Sequence, residues 1–474
     1  MLINSINFWL FFILFLVGYF AATRINCKAQ NVWLLLGSYF FYGWMSVEMA
    51  GLLFIITIIF FTLGRWIGSC NRKAKKWAPL AGVLLGVGML LYFKYTNFFL
   101  GEFSALLNLL GLRTNWSCFN IIVPVGISFF TFKLISYIVD VSKGKMKPER
   151  DFVTFASWVA FFPTIMSGPI DRAVDTIPQL KQTRHWINAS VLEGLKRILW
   201  GMFLKMCIAD KIAPYTDAVY NNFYHHSGVT VCLAAVLYSF QIYADFSGYS
   251  EMAIGVAKIL GIKVPENFLR PYFSTNVGDF WRRWHASLMS WFKDYIYIPL
   301  GGSRCSKTRT AGNTMTVFAV SGLWHGANWT FIVWGIYHGI LVVLRRLIWS
   351  KKTKDISTSP GGIMHCLEKY GKILVTFVLC TIGWMVFRSA SLEQFLGVVS
   401  RIGAPGGLFM SWALTAILPI SILIFKELND EELWNIHFLH SKNIWIQAVS
   451  IALLIVYIGY TGDLDGAQFI YFQF

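Results

Sequence analysis

Three histidines stand close together in one apolar, tryptophan-rich stretch, and imidazole is the side chain best suited to moving a proton near neutral pH. The stretch runs from Phe280 to Gly339. It holds His285 in Trp281-Arg282-Arg283-Trp284-His285, His325 in Gly322-Leu323-Trp324-His325-Gly326, and His338 in Trp334-Gly335-Ile336-Tyr337-His338-Gly339. Burial in apolar surroundings disfavours the charged imidazolium, so such a ring tends to stay neutral and can accept a proton from a hydroxyl. That chemistry suits attack of an alcohol on a thioester or ester, with N–H donors needed for the oxyanion that forms. The tryptophan indoles and Asn328 are the candidate donors. An ordinary reading stands beside this one. A lone histidine in an apolar helix commonly bonds a neighbouring helix, and tryptophans mark membrane interfaces. Other catalytic patterns are missing: there is no Walker loop, no serine elbow, no H-E-x-x-H motif and no paired catalytic carboxylates. The 8 cysteines are scattered with no C-x-x-C pair. They read as small apolar packers rather than a disulfide framework or a metal site.

The elements that must position these histidines are helices in a membrane. The 474 residues are 56% hydrophobic and only 14% charged, with a mean hydropathy of +0.55, whereas a soluble domain is about 25% charged. Apolar runs near the length that spans a bilayer recur from end to end: Ile6–Ala22, Val32–Trp44, Met49–Ile67, Ala78–Leu100, Phe119–Val141, Phe152–Met166, Thr230–Ile262, Leu374–Phe387, Leu408–Ile424 and Ile444–Tyr460 among them. None alternates every second residue as a barrel strand must. The fold class is therefore all-α and polytopic, with about eleven or twelve spans on the 20-residue criterion. The formal net charge of +17 sits in short polar loops, which is the cytoplasmic-loop bias rather than a nucleic-acid footprint. Met1 to Thr23 lacks the basic start of a cleavable signal peptide, and Arg24 and Lys28 follow the first run, so the N-terminus is expected outside. The tail from Thr461, with Asp463 and Asp465 and no Lys or Arg, is expected outside as well.

Several segments break the helical pattern. Pro124-Val125-Gly126-Ile127-Ser128-Phe129-Phe130 and Ser167-Gly168-Pro169-Ile170-Asp171-Arg172 suggest broken or re-entrant helices, which survive at membrane depth only against protein or a wet cavity. The polar stretch that follows, to His185, reads as a surface or interfacial segment. Val191–Ile208 carries Lys196, Arg197 and Lys205, which suggests a helix partly in the interface. Asp245, in Asp245-Phe246-Ser247-Gly248-Tyr249-Ser250, should face protein or water rather than lipid. Gly82, Gly86 and Gly88 suit close helix packing better than phosphate binding. Ser350–Gly371 reads as a cytoplasmic linker. The sequon Asn115-Trp116-Ser117 is too short a pattern to weigh. Arg304, Lys307 and Arg309, after Arg282, Arg283 and Lys293, could hold phosphates through charge-assisted hydrogen bonds, and loop bias explains them as well.

Taken together, the two broken segments, the Asp245–Ser250 segment, Asn267-Phe268, Trp281–His285 and Gly322–Gly326 resemble the membrane-bound O-acyltransferase (MBOAT) family, in its bacterial polysaccharide O-acetylation branch, which serves alginate and peptidoglycan. The resemblance covers nearly the whole chain. It implies one transmembrane domain over 1–474, built as a helical bundle with re-entrant segments and a through-tunnel. His325 matches the family's central catalytic histidine, and His285 the second position, which is His or Asn across the family. No role carries over to His338, which is left to packing. The donor implied is acetyl-CoA from the cytoplasm, a substrate rather than a bound cofactor, with Arg282, Arg283 and Arg304 as candidates for its phosphates and no metal. The ending Phe469-Ile470-Tyr471-Phe472-Gln473-Phe474 is similar to an F-x-Y-x-x-F motif in which the tyrosine is implicated as an acyl relay, which would make 461–474 an extracytoplasmic tail and Tyr471 a site residue. The implied partners are an extracytoplasmic SGNH-type acetyltransferase, a polysaccharide acceptor and membrane lipids, with no nucleic acid. The implied location is the bacterial inner membrane. Transfer of D-alanine or another acyl group by the same fold remains an alternative. So does a non-enzymatic transporter of an acyl compound or glycan, although no internal repeat is evident.

Overall fold

The structure, a computed structural model, describes residues 1, 3–71, 74–112, 119–349, 363–433, 437–463 and 469–470. Tyr471, the sequon at Asn115 and most of the expected Ser350–Gly371 linker lie outside the described residues. Every regular element described is helical. Among the described residues, seven helices are long and apolar enough to cross a membrane. The other expected spans are shorter or broken. Val32–Trp44 falls in the 17-residue helix Cys27–Gly43 and its C-cap, Trp44. Phe119–Val141 becomes helical only at Ile127. Phe152–Met166 splits into Phe152–Val159 and Phe162–Ile165, the second opening on Pro163. The final part of the expected linker is already helix, because Ile363–Arg388 starts well before Leu374. The chain divides into two compact units, Met1–Leu195 with Ala253–Pro265, and Lys196–Met252 with Glu266–Phe474.

In the first unit the helices start where side chains cap free backbone amides: Ser5, Asn26, Ser46 and Asp151 each accept from an N–H two or three residues into the helix that follows. Phe162 is the hub of its core, with its ring 5.4–6.3 Å from those of Phe8, Phe11, Phe12, Phe15 and Phe41. The two broken segments meet here. Gly126 sits at φ 76°, and a Cβ there would lie 2.2 Å from the Ile165 carbonyl oxygen, so only glycine lets the chain turn into the helix at this point. Asp171 is buried and takes Lys133 Nζ at 2.9 Å, the Trp158 indole N–H at 2.8 Å, and the hydroxyls of Thr164 and Thr176 at 3.0 Å each. In the expected surface segment before His185, Lys181, Gln182 and His185 are exposed, but Arg184 turns inward. It is 5% exposed and donates to Tyr19 Oη and Asn31 Oδ1 at 2.7 Å each. Its charge is satisfied by partners instead of by water. Gly82 and Gly86 do pack closely, against Ile138 and Ile135, while Gly88 has open space.

The second unit is organised on a helical hairpin, Lys307–His325 followed by Trp329–Trp349. Its two helices touch backbone to backbone. A Cβ on Gly322 would lie 2.3 Å from the Phe331 oxygen, and one on Gly335 would lie 2.3 Å from the Phe318 oxygen. Small residues at such crossings are how apolar helices gain packing energy when water offers none. The hairpin turns at Asn328, whose side chain donates to the Ala390 oxygen at 2.8 Å and accepts from the Thr330 N–H at 3.0 Å. Lys205 does not reach an interface. It is 5% exposed, and its ammonium lies 2.7 Å from Asp210 and 2.8 Å from Asp245. Asp245 faces protein, as a carboxylate at that depth must.

Candidate active site

His285 stands at a bend between the helices Val277–Arg283 and Ala286–Phe292. Backbone pairing with an extended segment fixes the bend: the Leu269 N–H donates to the Arg283 oxygen and the Ala286 N–H to the Asn267 oxygen, both at 2.9 Å. The bend puts His285 at φ 46°, ψ 50°. For a residue with a Cβ that region costs about 1–2 kcal/mol, and such strain persists only where the surroundings over-determine it. The imidazole is 1% exposed, with Nδ1 2.9 Å from Asn267 Oδ1. The Asn267 amide nitrogen donates to Ser250 Oγ at 3.0 Å, and its oxygen also accepts from Ser287 Oγ at 2.8 Å. With the amide so oriented, Nδ1 carries the proton and Nε2 the lone pair. Burial pulls the imidazole down to about 3, so the ring is neutral.

His325 is the last residue of its helix, released into the hairpin turn by the extended Gly326. It is 4% exposed, and its ring packs edge-on against Trp334 at 4.9 Å and Phe387 at 5.4 Å. Trp324 joins the two histidines, with its ring centroid 5.0 Å from His325 and 5.9 Å from His285. His338 lies one aromatic ring further on, 5.0 Å from Trp281 and 5.3 Å from Trp334. Neither of its ring nitrogens has a hydrogen-bond partner among the described residues, and its Nε2 fills the notch left by Gly383. The buried indole N–H groups of Trp281 and Trp334 likewise have no acceptor among the described residues. Trp334, packed against His325, is therefore a candidate donor for an oxyanion formed beside that ring. Asn328 spends its amide on the hairpin turn.

The tail enters the same unit. The Ile470 N–H donates to Asp245 Oδ2 at 2.7 Å. Phe469 is buried and stacks on Tyr249 at 5.0 Å, and it lies 5.9 Å from Phe246. Phe246 in turn meets the His285 ring edge-on at 4.6 Å. Tyr471 itself lies outside the described residues.

The three arginines part company. Arg282 lines a cavity of about 480 Å³ together with Lys293, Arg345 and Arg346. Arg283 pairs with Asp279 at 3.0 Å and with Glu431. Arg304 is exposed in the loop before Lys307 and does not line the cavity. Sequence reasoning gave no site role to Asn267, Arg345 or Arg346, and named Trp334 only among the tryptophan indoles as a class. Asn267 had only its Asn-Phe dipeptide as a signal, and the arginine pair only its place at the end of a span.

Two buried imidazoles thus share one indole, an arrangement that could move a proton in group transfer, and comparison with known proteins bears on which transfer that would be. The profile described as MBOAT, membrane-bound O-acyltransferase family, matches residues 149–382. A protein described as probable alginate O-acetylase from Azotobacter vinelandii is 35% identical over 415 residues, covering 87% of this chain and 79% of the relative. A peptidoglycan O-acetyltransferase from Helicobacter pylori is 34% identical over 413 residues, covering 81% and 76%. A teichoic acid D-alanyltransferase from Bacillus subtilis is 31% identical over 279 residues, covering 56% and 69%. The chain belongs to the membrane-bound O-acyltransferase family and is an acyltransferase.

Proposed function

We propose that this protein is an inner-membrane O-acetyltransferase, which takes acetyl from cytoplasmic acetyl-CoA and delivers it across the membrane for O-acetylation of a polysaccharide outside. The observation that carries the reading is the convergence of His285 and His325 on Trp324, with the tail held beside His285 through Phe246. In the transfer step His325 takes the proton of an acceptor hydroxyl, the hydroxyl oxygen attacks the thioester carbonyl, and the C–S bond breaks. The proton leaves with the thiolate. The Trp334 N–H stabilises the oxyanion between these events. His285, set by Asn267, supports the second catalytic position. Tyr471 is the acceptor phenol in this scheme: its aryl ester stays reactive enough to pass acetyl on to a separate extracytoplasmic SGNH-type transferase and then to the polymer. The N-terminus and the tail lie outside in this arrangement.

The test compares the acetyl content of surface polysaccharide between cells carrying the wild type and His325→Ala at equal protein levels. Acetylation disappears in the variant if the reading is right; acetylation that persists overturns it. Likeness to a D-alanyltransferase favours one second reading, D-alanine as cargo. Purified protein offered an acetyl thioester and a D-alanyl thioester side by side separates the two.

A further inference from the structure

Two concavities of the second unit share a wall. One is apolar, about 380 Å³, and runs along the helix Ile444–Thr461. Ser450, Leu453, Leu454 and Tyr457 form its one side, spaced as neighbours on a single helix face, and Ile422 and Phe425 face them. The other concavity is polar, about 350 Å³. Trp200, Lys426 and Leu439 line both, and the Lys426 ammonium lies 4.7 Å from the Trp200 ring. An apolar slot that opens into a charged chamber fits an amphiphile, with a chain in the first and a head in the second. Depth agrees. Ser450 to Tyr457 lie roughly 9–20 Å past Ile444 at about 1.5 Å per residue, which is acyl-chain depth. The start of that helix carries Lys442 and the exposed Trp445, side chains that mark headgroup level. His440, just before it, lines the polar chamber. Loop bias puts Lys426 and Lys442 inside, so the head belongs to the cytoplasmic leaflet.

The charges of the chamber choose the head. Lys196, Arg197, Arg270 and Lys426 line it. So do as many carboxylates, Glu251, Glu266, Glu427 and Asp430, which disfavours a purely anionic occupant. Protein partners engage most of them: Arg197 meets Glu266 at 2.7 Å, Arg270 meets Glu431 at 2.9 Å, and Lys426 meets Asp430 at 2.6 Å. Glu427 differs. It is 6% exposed and accepts the Tyr243 hydroxyl. It has no ion pair among the described residues, and Lys426 and Arg270 act on it only from longer range. A buried carboxylate without a cation is costly, and an ammonium brought from outside relieves that cost. The groove between the helices Ile6–Ala21 and Cys27–Gly43 makes the contrast. It is larger, about 540 Å³, but no charged side chain lines it, so it can take a lipid chain without choosing the head.

We propose that the joined cavities bind one phosphatidylethanolamine of the cytoplasmic leaflet. Its acyl chain lies along Leu453 and Leu454, its phosphate meets Lys426, and its primary ammonium pairs with Glu427. A choline head carries the charge but has no N–H to donate to the carboxylate. A glycerol head has no cation at all. The proposal does not depend on the acetyl-transfer reading.

The experiment strips lipid from the full-length protein in detergent and titrates back one lipid at a time, with bound lipid read by native mass spectrometry. Phosphatidylethanolamine, phosphatidylcholine and phosphatidylglycerol are compared with identical acyl chains. Phosphatidylethanolamine binds about tenfold more tightly than either of the others, the usual weight of one charge-assisted contact. Glu427→Gln keeps an acceptor for the Tyr243 hydroxyl and brings phosphatidylethanolamine down to the level of phosphatidylcholine. Leu454→Trp fills the slot and weakens all three lipids. Leu14→Trp, in the groove of the first unit, leaves the preference intact. An unaltered elution profile shows that each variant is folded. Should Glu427→Gln fail to fold, the ranking of the three lipids on the wild type still decides. Equal binding of the three, or a preference for phosphatidylglycerol, overturns the proposal. So does a preference for phosphatidylethanolamine that survives Glu427→Gln, or one that Leu454→Trp does not weaken.

Discussion

Replacing Lys205 with methionine strands two carboxylates inside the protein. Lys205 Nζ lies 2.7 Å from Asp210 and 2.8 Å from Asp245, and the side chains of the three are 6%, 1% and 2% exposed. At an effective dielectric near 20, each contact is worth about 6 kcal/mol before desolvation. Removing one member of such a buried cluster typically costs about 3–5 kcal/mol, because the remaining charge has neither water nor a partner. Lys205→Met should therefore lower stability by an amount in that range. The loss shows as an earlier midpoint when thermal unfolding of the detergent-solubilised protein is followed by tryptophan fluorescence. Lys205→Met combined with Asp245→Asn removes one of the stranded charges while keeping an acceptor for the Ile470 N–H, so the pair recovers a large part of the loss. Asp245→Asn alone keeps the Lys205–Asp210 contact and costs less than Lys205→Met. A Lys205→Met protein that unfolds with the wild type, or a double variant no more stable than Lys205→Met, refutes the reasoning.

Trp334→Phe keeps the ring against His325 and deletes the N–H. It should lower kcat by about 10²–10³, as loss of an oxyanion donor does, with KM for the donor little changed; steady-state thioester turnover reads both. His285 is held neutral by burial, its value pulled down to about 3, so it takes no proton as pH falls from 8 to 5. His285→Asn should then keep its acidic activity limb at the same pH as the wild type, and a limb that moves in the variant shows that His285 titrates there. Gly335→Ala drives a methyl group to 2.3 Å from the Phe318 oxygen and should cost about 1–3 kcal/mol by forcing the hairpin apart, measured by the same unfolding assay.

The helical class was legible because apolar runs are local signals, whereas singling out His285 and His325 together rested on the family resemblance of their motifs. What escaped depends on residues far apart in the chain. Asn267 sets the tautomer of His285 from 18 positions away, and no periodicity links the two. Lys205 and Arg184 read as interfacial because a cation in an apolar setting must find either water or a partner, and the partners, Asp245 for one and Asn31 for the other, cannot be guessed from neighbouring residues. The apolar runs did not map one to one onto long helices for a related reason. Hydropathy registers the apolar length of Phe119–Val141 and Phe152–Met166, but the helices there are cut by Gly126 and Pro163, and the freed backbone is satisfied by protein.

The hairpin that carries His325 and Trp334 has a mechanical consequence. With Gly322 against the Phe331 carbonyl and Gly335 against that of Phe318, the two helices are seated without any side chain between them, and such a joint neither slides nor swings open at low cost. His325, at the end of one helix, and Trp334, on the other, are therefore held at a fixed spacing.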